Sequence, residues 1–308
     1  MWRIVDISEP DRHLSLSHES LVVSAQGKEL GRIPIRDIQA VIVHGHGSSL
    51  TLNAASALAE AGVPLVLSDR GHHPAALCLP VAGNFELARR IAAQASITPA
   101  RQGRIWRDIV RRKILLQAEA LERTGSEDAA SIRKLASIVK PDDPENIEAR
   151  AARYYWQRLL GPQFRRDTDG GALNGALNYG YAVLRATVAR AVVATGLSPS
   201  LGVHHRNRLN AFQLVDDLME PLRAAVDFCV WDHRKEFEPG LTGNGKAKLA
   251  ALVNLPLAGV DGHSPLSRIA GQMASSLAEV YLGERKSVWL PETLLSPEQA
   301  TLDWDGQM

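Results

Sequence analysis

Residues 173–227, LNGALNYGYAVLRATVARAVVATGLSPSLGVHHRNRLNAFQLVDDLMEPLRAAVD, decide how the chain is read. Ala, Leu and Val recur at helical spacing until GLSPSLG (196–202) interrupts them, and a second helical run, residues 209–227, follows. His204 and His205 stand between the runs, and Asp216, Asp217 and Glu220 stand within the second. If that run is one helix, Asp216 and Asp217 lie one turn before Glu220, at spacings that bring side chains together. Like charges so placed repel, and a cation must compensate them, either Arg223 one turn on or a divalent metal. Spacing alone leaves a solvated acidic face and a metal site equally supported. The adjacent histidines shift the balance toward metal, since imidazole with carboxylate oxygens is compatible with manganese. Which histidine would ligate is not readable from spacing.

The same helical texture extends from about residue 83 almost to Leu282, broken also by KPDDPEN (140–146) and DTDGGALN (167–174). Pro144 and Asn146 resemble a helix start, which puts Glu148 in a first turn, where the helix dipole favours a carboxylate whatever its role. Arg101, Arg104, Arg107 and Arg111 repeat beside an apolar stripe of Ile105, Ile109 and Leu116, a pattern that more often marks a solvated helix face than a DNA contact. Before residue 83 the texture is short and β-like: WRIVDI, HLSLSHESLVVS, ELGRIPI, IQAVIVHG, VPLVLSD and PAALCLP, with one helical stretch, TLNAASALAEAG, among them. The expected fold class is therefore α+β, with a small N-terminal β-sheet domain (1–82), a larger all-α domain (83–290) and a loosely ordered tail (291–308).

Composition narrows the class. The chain has 308 residues, 45% hydrophobic and 22% charged, as in ordinary soluble domains. It has no run of about eighteen apolar residues, and its first residues, MWRIVDISEPDR, lack a signal-peptide pattern, so a cytoplasmic location without membrane contact is expected. A net charge of +1 means that any attraction to phosphate comes from local patches. Cys78 and Cys229 lack a CxxC spacing and read as two buried free thiols. The string HGHGSSLTLNAAS has Leu50 where a dinucleotide loop needs its third glycine, and GKS, GxSxG and HExxH are absent. His44, His46, His72 and His73 sit at strand ends among glycines and read as turn or surface residues.

Three strings, IEARAARYYW (147–156), LNGALNYGYAVLRATVARAVVATGLSPSLGVHH (173–205) and DDLMEPLRAAVD (216–227), together resemble one family, the CRISPR-associated integrase Cas1, in its compact type II form. The resemblance covers nearly the whole chain. It implies that a Glu at a helix start, a His after a GxxH string and an acid in a DLxE string hold a divalent ion. Those roles fall on Glu148, His205 and Glu220, with Asp217 a nearby second acid and His204 and Asp216 supporting neighbours. Asn174, Asn178, Tyr179 and Tyr181 also match the family and are read as a structural polar network. The N-terminal sheet domain is the family's usual dimerisation surface, and the helical domain its catalytic part.

The resemblance further implies Mg2+ or Mn2+ as cofactor and transesterification as chemistry: a 3′-hydroxyl of a short DNA fragment attacks a phosphodiester at the border of a CRISPR repeat. Arg153, Arg165, Arg166, Arg206, Arg208 and Arg223 are candidate DNA-phosphate contacts. Implied partners are the spacer-precursor and repeat DNA, a second copy of the chain, the small subunit Cas2 in a heterohexamer-like complex, and the type II effector nuclease. A metal-dependent nuclease of branched DNA and a non-catalytic DNA-binding scaffold are the alternatives.

Overall fold

The computed structural model describes residues 3–68, 74–80, 84–167, 170–259 and 262–294. His72, His73, the boundary at 82/83 and the tail from 295 lie outside the described residues. The N-terminal part contains β1 (Arg3–Ile7), β2 (His13–Ser17), β3 (Ser20–Ala25), β4 (Lys28–Pro34), β5 (Ile38–Val43), β6 (Ser49–Leu50), α1 (Leu52–Glu60), β7 (Leu65–Ser68) and β8 (Pro74–Cys78). They form two four-stranded sheets, ordered β4-β3-β2-β6 and β1-β5-β7-β8. In the second sheet β1, β5 and β7 run parallel and β8 antiparallel.

β5 reads IQAVIV, apolar throughout except for the buried Gln39, because both of its faces are covered. Ala40 and Ile42 join the large core of the helical part, whereas Val41 packs into a smaller core with Leu14, Leu21, Ala54 and Leu58. This sheet is thus the layer between the β4-β3-β2-β6 sheet and the helices. Polar contacts tie the same seam: Arg190 donates to the Ile38 and Gln39 carbonyls at 2.9 and 3.1 Å, and the Tyr179 hydroxyl donates to Asp6 at 2.9 Å.

The helical part holds α2 (Leu87–Ala95), α3 (Pro99–Arg123), α4 (Ala129–Ile138), α5 (Ile147–Leu159), α6 (Gly171–Ala194), α7 (Gln213–Met219), α8 (Arg223–Asp232), α9 (Arg234–Phe237), α10 (Gly243–Ala251) and α11 (Leu266–Leu282). Between α10 and α11 lies an antiparallel hairpin, β9 (Pro256–Gly259) and β10 (Gly262–Pro265), which the helical reading of this region did not single out. Four-residue strands begun or ended by Pro and Gly carry no periodic signal. α6 is apolar nearly all round because it is the central helix. At Gly180 a Cβ would lie 2.4 Å from Val226 Cγ1, so α6 and α8 approach as closely as glycine allows.

The run 209–227 is not one helix. α7 stops at Met219, Glu220–Leu222 form a 3-10 turn, and α8 starts at Arg223. Pro221 has no N–H to donate and crowds the preceding turn. The cysteines also differ from expectation: Cys229 is buried on α8, but Cys78 is exposed on the edge strand β8. Among the described residues no helix is long and apolar enough to cross a membrane.

Candidate active site

Glu148 sits in the first turn of α5. The helix start is fixed by Asp143, whose two carboxylate oxygens accept the backbone N–H groups of Ile147 and Glu148, each at 2.9 Å. Asn146, expected as part of the start signal, instead takes a left-handed turn at φ 51° and makes no side-chain cap. With its own N–H satisfied, Glu148 projects its carboxylate to Lys113 of α3, whose Nζ lies 2.5 Å from Oε1.

Glu220 reaches the same ammonium from the 3-10 turn, with Nζ 2.6 Å from its Oε2, while Arg223 Nε stands 3.0 Å from its Oε1. The glutamate is 4% exposed. Burial works against its ionised form, yet Arg223 and Lys113 hold its pKa below the ordinary carboxylate value. Burial likewise opposes the Lys113 ammonium, and the carboxylates of Glu220 and Glu148 outweigh it and raise its pKa. Lys113 occupies a position on α3 between buried Ile109 and Gln117 on one side of the helix and Trp106 two turns earlier. A lysine in the apolar stripe of a helix was the sequence signal for this contact, and the reading of the arginine row passed over it. Of that row, Arg101, Arg107 and Arg111 hold Arg285, Asp108 and Ala136 respectively, so three of the four serve packing within the domain.

His205 is placed by Asp217. That carboxylate, with no exposed surface, accepts the N–H groups of Val203, His204 and His205 at 2.6, 2.9 and 3.3 Å and the His205 ring Nδ1 at 2.5 Å. Gly202 permits this: a Cβ there would stand 2.7 Å from the His205 carbonyl and 3.0 Å from Asp217 Oδ2. The hydrogen bond to Asp217, partly opposed by burial and helped by the charges of Glu220 and Glu148, raises the His205 pKa. With Nδ1 committed, Nε2 is the nitrogen left to ligate.

His204 stacks on Trp106, ring centroids 4.3 Å apart and 3° from parallel, and its Nδ1 lies 3.2 Å from Asp142. Asp216 does not join Asp217 and Glu220. It pairs with Arg185 at 2.7 Å and accepts from Asn210 at 2.7 Å, because adjacent helical residues project about 100° apart and the helix breaks before Glu220. Arg166 is held by Asn174 and Asn178 at 2.8 and 2.6 Å, Tyr181 donates to Asp227, and Arg223 is held by Glu220. Arg153, Arg165, Arg206 and Arg208 are exposed, the last two directly after His205.

Among the described residues no three His, Cys, Asp or Glu side chains converge closely enough to form a ready-made metal cluster. The donor set nevertheless fits a hard divalent ion: two carboxylates already share one cation, and an oriented imidazole is coupled electrostatically to both. Glu220 Oε2 is buried and faces the Lys113 ammonium 2.6 Å away. A buried carboxylate oxygen that already faces a cation suits a metal ion.

The chain is 36% identical over 297 residues to the CRISPR-associated endonuclease Cas1 of Neisseria meningitidis serogroup C (strain 8013), covering 95% of this chain and 97% of that one. Among solved structures it resembles a casposase bound to integration product (TM-score 0.76, 20% identity, 96% of this chain and 94% of that chain). It also resembles part of a Cas6-RT-Cas1–Cas2 complex (TM-score 0.70, 17% identity, 93% of this chain and 36% of that chain). The family model of CRISPR associated protein Cas1 matches residues 5–236, a span that contains Glu148, His205 and Glu220, and the chain belongs to that family.

Proposed function

We propose that this chain is the integrase of CRISPR adaptation: the 3′-hydroxyl of a short DNA fragment attacks a phosphodiester at a repeat border, a new P–O bond forms as the old one breaks, and the repeat strand's own 3′-hydroxyl leaves. The observation that carries the reading is the meeting of Glu148 and Glu220 on one cation beside an imidazole oriented by Asp217. Glu148, Glu220 and His205 Nε2 would hold Mg2+ or Mn2+. The ion's contribution, when bound, is Lewis acidity: it eases loss of the hydroxyl proton and offsets charge on phosphate oxygens. Asp217 fixes the ring that ligates. Arg206 and Arg208, exposed beside His205, draw phosphate toward the site with little base preference, and binding falls steeply with salt.

Two ends of a fragment must be joined, so at least two sites act together. The resemblance to the family supports a homodimer formed through the N-terminal sheets, with Cas2 and the type II effector nuclease as further partners. A supercoiled plasmid carrying a repeat, offered with a 3′-hydroxyl duplex, Mn2+ and candidate partner subunits, tests the reading. Covalently joined products are expected. Cleavage without joining under every partner condition would favour a nuclease of branched DNA instead. Joining unaffected by Glu148→Gln would point to a scaffold.

A further inference from the structure

Glu148 and Glu220 come from different elements, and a lysine from a third holds them together. Lys113 Nζ lies 2.5 Å from one carboxylate and 2.6 Å from the other, on a side chain only 11% exposed. A divalent ion shared by the same oxygens at about 2.0–2.6 Å would need the space of that ammonium, and two cations so close repel. Arg223 already takes Glu220 Oε1, so Oε2 is the oxygen for which lysine and metal compete. Arg223 is also fixed over the Tyr181 ring, 4.7 Å from its centroid. Lys113 carries a compact charge on a flexible four-carbon stem, and among the described residues no ring holds it in place as Tyr181 holds Arg223. Of the two cations, the lysine is the one able to leave.

We propose that Lys113 is an exchangeable cation of the site: it keeps the two carboxylates assembled, must be displaced by the divalent ion, and so sets the metal affinity. The inference rests on the reading of Glu148 and Glu220 as metal-holding residues. Lys113 acts through those carboxylates and is a positioning residue.

The test is Mn2+ binding to the full-length chain without DNA, read from the electron paramagnetic resonance of free Mn2+ at fixed pH and salt. Lys113→Met removes the competitor and should bind Mn2+ about tenfold or more tightly than the parent. Lys113→Arg installs a cation that grips carboxylates in a fork and should bind it several-fold more weakly. A merely structural lysine would make both variants weaker, and that result overturns the proposal. Should Lys113→Met fold poorly, its melting temperature must rise with Mn2+ by more than the parent's, as tighter binding demands; an equal or smaller rise, or Arg binding as tightly as Lys, also overturns it. Glu148→Gln separates the layers. If it keeps the parent's affinity, the metal reading itself fails; if it loses binding while both Lys113 variants match the parent, only the lysine's role fails.

Discussion

Glu220 and Asp227 are both buried acids of the same segment, two turns apart, and their titration moves in opposite directions. Glu220 faces Arg223 and Lys113, and its pKa falls below the ordinary value despite burial. Asp227 faces the phenol of Tyr181, with Tyr155 alongside, and burial pushes its pKa up to about 7. The depth of burial is similar, so it is the neighbours that decide whether the carboxylate keeps its charge. One acid is held ready for a cation. The other belongs to the packing between α6 and α8.

Glu220→Gln breaks the contrast at its charged end. Strand joining should fall at least about 100-fold, beyond the 10–100-fold typical of residues that only orient a ligand. A folded variant, checked by thermal melting, that joins at the parent's rate would refute the assignment. Asp217→Asn leaves both glutamates in place but loosens His205, and Mn2+ affinity should drop about 10–100-fold, measured by titration calorimetry. An unchanged affinity would mean that the imidazole is not a ligand. Gly202→Ala pushes a Cβ into the same loop and should cost about 1–3 kcal/mol in urea denaturation.

Asp227→Asn sharpens the contrast at its neutral end. Because the folded pKa lies near 7, above the ordinary aspartate value, the folded state holds an extra proton between the two values. Stability from this group is therefore present at low pH, falls as pH rises toward 7 and levels off above it, with a slope of at most about 1.4 kcal/mol per pH unit. The asparagine variant should show a flatter dependence in denaturation at pH 5, 6 and 7; an unchanged slope would contradict the pKa. The smallest effect is expected for Asp216→Asn, whose side chain pairs with Arg185 and Asn210 rather than with the proposed ligands. Its Mn2+ affinity should match the parent's, and a loss as large as at Asp217 would contradict this separation.

Much of this was legible in the sequence. The change from two-residue to helical periodicity separates the sheets from the helices, and Glu148 lies in a first turn as its flanking residues suggest. The acids of DDLME were harder, because a helical wheel cannot show that Pro221 ends α7 or that Asp216 and Asp217 serve different partners. Lys113 was in view as a charge within an apolar stripe, but its partners lie 35 and 107 positions further along, and only the packing of α3 against α5 and the Glu220 turn brings them together. The hairpin at 256–265 left no periodic trace. Cys78 shows the limit of residue-type averages: cysteines are commonly buried, and this one lies on an edge strand.

The central claim is that residues 148, 205 and 220 share one divalent ion, and Mn2+ anomalous scattering from soaked crystals addresses it most directly. The account predicts one peak about 2.0–2.4 Å from carboxylate oxygens of Glu148 and Glu220 and from His205 Nε2, with Lys113 Nζ moved out of the gap between the carboxylates. A peak on other residues, or an ion bound while His205 stays remote from it, would contradict it.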